Sequence, residues 1–302
     1  MVNPLYPFAS HFIERNYCGH NYQMHYLDEG NGPILLMVHG NPTWSFFYRE
    51  MVFGLRRYYR CIVPDHLGCG KSDHPRLDHY EYRLKDRIND LDFLINSIAP
   101  NKKINLVVHD WGGMIGMGLA SRYPDKIESL IILNTAAFHL PRGKRLPFSL
   151  RLARNTALGA WLIRNKNLFC RLAVRWAVTK KKLDPAIREM YLSPYSRPDK
   201  REAVLRFVQG IPLVPEDPDY QQVSEIDNSL NLFAHVPMLI CWGMKDFVFD
   251  EDFLDGWRQR FPFAEVITFP DSGHYLLEDS APEVIDLVQK FLKLNLAKQV
   301  PA

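Results

Sequence analysis

The sequence predicts an α/β fold: a mostly parallel, eight-stranded sheet flanked by helices, with a helical block inserted late in the chain. Three observations carry that expectation. Residues 33–38, 59–63, 104–108, 129–133 and 237–241 are short, nearly continuous apolar runs, as expected of parallel strands buried on both faces. Helix-period stretches separate most of them. One long stretch, 138–223, contains no convincing strand.

Residues 12–17 and 23–27 alternate apolar and polar and read as antiparallel strands joined by a turn at 19–21. In 80–98, Leu84, Ile88, Leu91, Leu94 and Ile95 recur at helical spacing beside an acidic face. Residues 114–122 and 252–261 also read as helices. Within the strandless block, 150–163 and 168–178 are amphipathic, and a passage with Pro194, Pro198, Pro212, Pro215 and Pro218 follows. A strand at 265–269 and a helix at 282–296 close the fold. Helices inserted after a sheet strand sit over the strands' C-terminal edge, where open α/β sheets place their ligands. The expected organisation is a core of 1–137 and 226–302 with a helical cap of 138–225.

The chain has 302 residues, 47% hydrophobic and 24% charged, which excludes a disordered, collagenous or coiled-coil protein. No apolar run approaches the roughly 20 residues of a membrane span, and the first ten residues lack a basic head followed by an apolar core. Cys18, Cys61, Cys69, Cys170 and Cys241 form no CxxC pair, which suits free thiols in a reducing, cytoplasmic compartment. The net charge of +3 is unevenly spread: residues 141–206 hold 17 Lys and Arg against 4 Asp and Glu. That surplus reads either as a solvated helical face or as a contact with an anionic surface. No nucleic-acid motif accompanies it, so no nucleic-acid partner is expected.

The chemistry concentrates in four segments. INLVVHDWGG (104–113) is a buried strand running into Asp110, with Gly112 and Gly113 opening a helix. This is the context of a nucleophile elbow, with Asp in the place usually held by Ser and Val108 in that of the first Gly. PMLICWGMKD (237–246) ends on Asp246, and EVITFPDSGH (265–274) ends on His274. Nucleophile, acid and histidine, each after a strand, follow the order of α/β-hydrolase triads. LMVHGNPTW (36–44) follows the third strand, where the loop supplies one oxyanion-hole N–H from Asn41; Trp111, next to the nucleophile, supplies the second. PDHLGCGKSD (64–73) lacks phosphate-loop spacing, so Gly68 and Gly70 are turn residues. His66, His74 and His79 lack metal-ligand spacing, and no metal is expected.

HGNPTW (39–44), PDHLGCGKSD (64–73), HDWGGMIGMG (109–118), WGMKD (242–246) and SGHYLLED (272–279) resemble the haloalkane dehalogenase branch of the α/β-hydrolases over essentially the whole chain. LNTAAFHLPRGKR (133–145), NTALGAWLIR (155–164), RFVQGIPL (206–213) and DFVFD (246–250) are similar to its third subfamily. That subfamily includes the β-lactone decarboxylases (cis-3-alkyl-4-alkyloxetan-2-one decarboxylases) of long-chain olefin biosynthesis.

The resemblance implies Asp110 as nucleophile, His274 as general base and Asp246 as its acid partner. A leaving halide or lactone carboxylate would rest against the side-chain amide of Asn41 and the indole N–H of Trp111. An aspartyl ester can be hydrolysed, whereas a serine ether formed at sp³ carbon cannot. For a β-lactone the implied course is ring opening followed by loss of carbon dioxide, with no cofactor. The resemblance also implies an assembly with a β-lactone synthetase. An apolar substrate would lie against Phe46, Phe138, Phe148, Trp161 and Phe169, with Phe47, Leu162 and Trp176 as further candidates. Tyr191 and Tyr195 raise a third activity, epoxide hydrolysis, in which cap tyrosines protonate the opening oxygen.

Overall fold

The computed structural model describes residues 3–299. Strands β1 (His11–Tyr17) and β2 (His20–Glu29) form the expected hairpin with Tyr17 opposite His20. Its turn is Cys18–Gly19 rather than 19–21, because both residues take the left-handed conformation, φ +53° and +79°, that a two-residue hairpin turn needs. Six strands then run parallel: β3 (Ile34–Val38), β4 (Arg60–Pro64), β5 (Ile104–Asp110), β6 (Ile127–Thr135), β7 (Met238–Gly243) and β8 (Glu265–Phe269). The sheet order is β1-β2-β4-β3-β5-β6-β7-β8. Every residue of β5, at the centre, is buried.

The helices, in chain order, begin with α1 (Arg49–Leu55), α2 (Leu84–Ile98) and α3 (Gly112–Arg122). The insertion carries α4 (Phe148–Asn155), α5 (Ala157–Lys166), α6 (Leu168–Trp176), α7 (Pro185–Leu192) and α8 (Glu202–Gln209). Then come α9 (Tyr220–Ser229), α10 (Glu251–Arg260), α11 (Leu276–Asp279) and α12 (Ala281–Gln299).

Strand periodicity splits the core into two layers. Leu36, Val38, Leu106, Val108, Ile132 and Ile240 point to α2, α3 and α10, while Leu35, Met37, Val107, Ile131, Leu133 and Leu239 point to α1 and α12. Because consecutive residues of one strand serve opposite faces, the middles of the central strands (34–38, 106–108 and 130–133) are apolar at every position.

Three expected boundaries move for local reasons. Helix α2 starts at Leu84, not residue 80, because Tyr82 stands at φ +60° and donates its hydroxyl hydrogen bond back to the Pro75 carbonyl. The expected helix 150–163 is two helices, α4 and α5, broken at Thr156, whose hydroxyl caps α5 by accepting the Gly159 N–H at 2.9 Å. The expected cap edge at 225 falls inside α9, whose Val223 and Ile226 pack into the same layer as α3.

The cap has a small apolar centre of its own, Ile163, Cys170, Tyr195, Val204, Leu205 and Val208. It is tied to the sheet edge by hydrogen bonds from the Tyr275 N–H to the Ala177 carbonyl (2.8 Å), from the Trp44 indole to the Met190 carbonyl (3.1 Å) and from the Tyr195 hydroxyl to the Thr43 carbonyl (3.1 Å).

Candidate active site

Strand β5 delivers Asp110 to the C-terminal edge of the sheet at φ +53°, a left-handed conformation that an aspartate seldom adopts. Such a backbone costs about 1–3 kcal/mol and persists only where its surroundings over-determine it. Here they do. A Cβ on Gly112 would overlap the Val38 carbonyl, one on Gly113 the Thr135 hydroxyl, and one on Gly40 the Asp110 carboxylate itself. The Thr135 hydroxyl donates to the Asp110 carbonyl, and the Trp257 indole donates to the Thr135 carbonyl at 2.8 Å. The glycines thus let helix, strand and loop close around one side chain.

The loop after β3 comes to the same point. The Asn41 backbone N–H donates to Asp110 Oδ1 at 2.5 Å, and the Trp111 N–H faces the same carboxylate. Buried His39 holds this loop: its Nε2 accepts the His66 N–H at 3.2 Å, while burial pushes its pKa down to about 4 and keeps it neutral at pH 7. Asp65 adds a second brace, accepting the N–H groups of Ser45 (2.6 Å) and Lys71 (2.9 Å). His66 is therefore a loop support, and Gly68 and Gly70, at φ +83° and +54°, are turn residues.

His274 lies beyond β8 with Nε2 3.6 Å from Asp110 Oδ2 and Nδ1 2.7 Å from Asp246 Oδ2. The other Asp246 oxygen accepts the N–H groups of Val248 (2.7 Å) and Phe249 (3.0 Å), which fixes the carboxylate. Asn134 was not visible as a site residue in the sequence. At φ +32° its side chain accepts the Gly243 N–H (2.8 Å) and donates to the Gly243 carbonyl (3.0 Å), bracing the end of β7 before Asp246.

Burial raises the Asp110 carboxyl above the usual carboxylate range, although His274 and the two amides pull it back. Burial works the other way on His274, but the Asp246 and Asp110 carboxylates outweigh it and leave its pKa raised. The arrangement can hold a nucleophilic carboxylate beside an imidazolium, with two amides ready for charge on a carboxylate-derived oxygen.

Above Asp110 and His274 lies a largely apolar cavity of about 240 Å³, with Asn41 and Trp111 in its wall. The Asn41 amide Nδ2 gives one hydrogen to the Val204 carbonyl at 3.2 Å and keeps the other. Of the expected wall aromatics, Phe169 lines this cavity, as do Leu162 and Trp176. Phe46 does not: it packs against Trp44 and Tyr191. Phe47 stacks on His109 (4.2 Å), and Phe138 is wedged between Trp257 and the Arg260 guanidinium. Phe148 and Trp161 point outward, 75% and 48% exposed. Wall residues missed by the sequence reading are Met114, Leu172 and Phe249. Leu172 carried a signal, since it stands at helical spacing between Phe169 and Trp176.

Tyr191 and Tyr195 are also outside the wall. Tyr191 donates to Glu278 (2.5 Å), a carboxylate that also pairs with Arg49, and Tyr195 is held by Thr43. The support expected for epoxide hydrolysis is therefore absent.

A sequence profile of the α/β hydrolase fold matches residues 33–281. The chain belongs to the α/β-hydrolase family. Within it, the chain is 51% identical to the cis-3-alkyl-4-alkyloxetan-2-one decarboxylase of Shewanella oneidensis, covering 97% of this chain and 91% of that protein. It is 41% identical to the protein of the same name from Xanthomonas campestris, over 90% and 93%. Among solved structures it superposes on the haloalkane dehalogenase DbeA from Bradyrhizobium elkani with a TM-score of 0.80 and 25% identity, over 96% and 100%. No helix among the described residues is long and apolar enough to cross a membrane.

Proposed function

We propose that this α/β-hydrolase is a β-lactone decarboxylase that converts a cis-3,4-dialkyl-2-oxetanone into an alkene and carbon dioxide, with Asp110 as nucleophile. One observation carries the reading. The Asp110–His274–Asp246 constellation sits at the floor of an apolar cavity in a chain 51% identical, over nearly all its length, to a decarboxylase named for that substrate class.

In the proposed course an Asp110 oxygen bonds to the ring carbon bearing oxygen, and the ring C–O bond breaks. Its electron pair goes to the freed carboxylate, which the Asn41 amide and Trp111 indole receive. The bond from carbon to that carboxylate then breaks to release carbon dioxide. Its pair becomes the alkene π bond, and the ester oxygen leaves with its own pair to restore the Asp110 carboxylate. No water, proton or redox equivalent is consumed. Attack on the lactone carbonyl would instead leave a hydroxyl group to be lost before an alkene could form. Protonated His274, steadied by Asp246, stabilises the charge that returns to Asp110.

The test is incubation with a cis-3,4-dialkyl-2-oxetanone. The expected product is the cis-alkene, since inversion followed by anti elimination preserves the geometry. Halide release from 1-bromobutane with no alkene from the lactone would overturn the proposal. That second reading, hydrolytic dehalogenation, is favoured by the Asn41 and Trp111 pair and has His274 activating water against the ester. It would place oxygen-18 from labelled water in Asp110, whereas decarboxylation would not.

A further inference from the structure

The cap and the loop between β7 and α10 place apolar side chains at the cavity mouth where water would be expected to meet polar ones. Leu168, Trp176 and Phe247 line the cavity and are nevertheless 36%, 51% and 47% exposed. Outside the mouth, Phe148 on α4 and Trp161 on α5 are also exposed. Phe148 lies one helical turn from exposed Arg151, and Trp176 directly follows exposed Arg175.

The acids of the cap offset only part of this charge, with Asp184 and Glu189 exposed and outside any ion pair among the described residues. Glu202 is taken by Arg164 and Arg206, each at 2.7 Å, and Asp199 by Arg197; beyond the basic stretch, Asp217 is taken by Arg154. Arg145, Arg151, Arg171, Arg175, Lys181 and Lys182 are exposed and have no ion-pair partner among the described residues. Arg145 lines the cavity, and Arg171 and Arg175 share α6 with Leu168 and Trp176. Cations and exposed aromatics beside an apolar opening suit an interface with acidic headgroups outside and acyl chains within.

We propose that this cap face docks on an anionic lipid bilayer, with Leu168, Trp176 and Phe247 entering the headgroup–acyl boundary and the surrounding arginines and lysines holding lipid phosphates. A second copy of the same face is disfavoured because like charges would meet. An acidic protein would satisfy the cations but offers no reason for apolar side chains to ring the opening. The inference rests on the apolar-substrate reading only for the reason such a surface would be visited, and the binding is measured without substrate.

The experiment is co-sedimentation of the full chain with vesicles of phosphatidylglycerol and phosphatidylcholine, against vesicles of phosphatidylcholine alone. Binding to the anionic vesicles is expected, with a blue shift of tryptophan emission that Trp176→Ala diminishes. In about 1 M salt, where charges are screened within about 3 Å, binding should be largely lost. The triple variant Arg151→Glu, Arg175→Glu, Lys181→Glu should bind at least about tenfold more weakly. It should keep turnover of a short, soluble substrate, which shows that it is folded. Equal binding to neutral and anionic vesicles, or undiminished binding by the triple variant, would overturn the proposal. So would absence of vesicle binding, including the case where the face instead takes up an acidic protein or a second copy.

Discussion

His274 stands between two carboxylates, 2.7 Å from Asp246 and 3.6 Å from Asp110, and its protonation state separates the two chemistries this site could perform. Decarboxylation needs the imidazolium to stabilise charge returning to Asp110, whereas water activation needs the neutral ring. The His274 pKa is raised, so the imidazolium persists above the ordinary imidazole range. Alkene formation should therefore fall as pH rises through that raised value. It should fall again on the acid side as Asp110, whose pKa is also raised, takes up a proton. The kcat/KM profile on the lactone checks this, and a rate that climbs with pH on the alkaline side would indicate water activation. At this scale the sequence was legible where a residue type and its flanks carry the chemistry, as in the HDWGG run that marks Asp110. It was not legible for Phe46, Phe138, Phe148 and Trp161, because an aromatic's place in the sequence does not reveal which neighbour its face will meet. Trp161 faces water because Gly159 and Ile163 form the buried side of its helix.

At the scale of elements, the strand ends and the loops that brace them place the reacting groups. Asn134 joins β6 to β7 through two buried hydrogen bonds with Gly243, three residues before Asp246. Asn134→Ala leaves the buried Gly243 N–H unpaired and its carbonyl with only the Asp246 N–H at 3.3 Å, and should lower unfolding stability by about 1–3 kcal/mol. Chemical denaturation measures the loss; a change below about 0.5 kcal/mol, the range of ordinary surface substitutions, would mean that the brace is not needed. Buried strands were readable because two apolar faces leave a continuous signature, as in 104–108. Breaks within helical runs were not. Thr156 divides α4 from α5 through one hydroxyl hydrogen bond, a competition that apolar periodicity does not register. Asn134 went unseen for a related reason, since nothing in LNTAA marks an asparagine that will take a left-handed backbone and bridge to a strand more than a hundred residues away.

Across the whole molecule, the sheet supplies a fixed floor and the insertion supplies a wall, and the cap grips both faces of the core. Phe207 joins the layer containing α2 and α3, while Val174 and Tyr191 join the layer containing α1 and α12. The substrate's alkyl chains should therefore be measured by the cap. Leu172→Trp, at the wall of the 240 Å³ cavity, should cut kcat/KM for a long-chain lactone by about 10-fold or more while sparing a short-chain one, as excess volume in a packed site costs about 1–3 kcal/mol. An equal loss for both lengths would move chain recognition elsewhere. All of this presumes a covalent bond between Asp110 and the substrate, which mass spectrometry can detect directly. With His274→Phe slowing release, the peptide bearing Asp110 should gain the mass of one intact lactone, and Asp110→Ala should show neither adduct nor alkene. Alkene formation by Asp110→Ala, or lactone consumption by the His274 variant with Asp110 unmodified, would contradict the account.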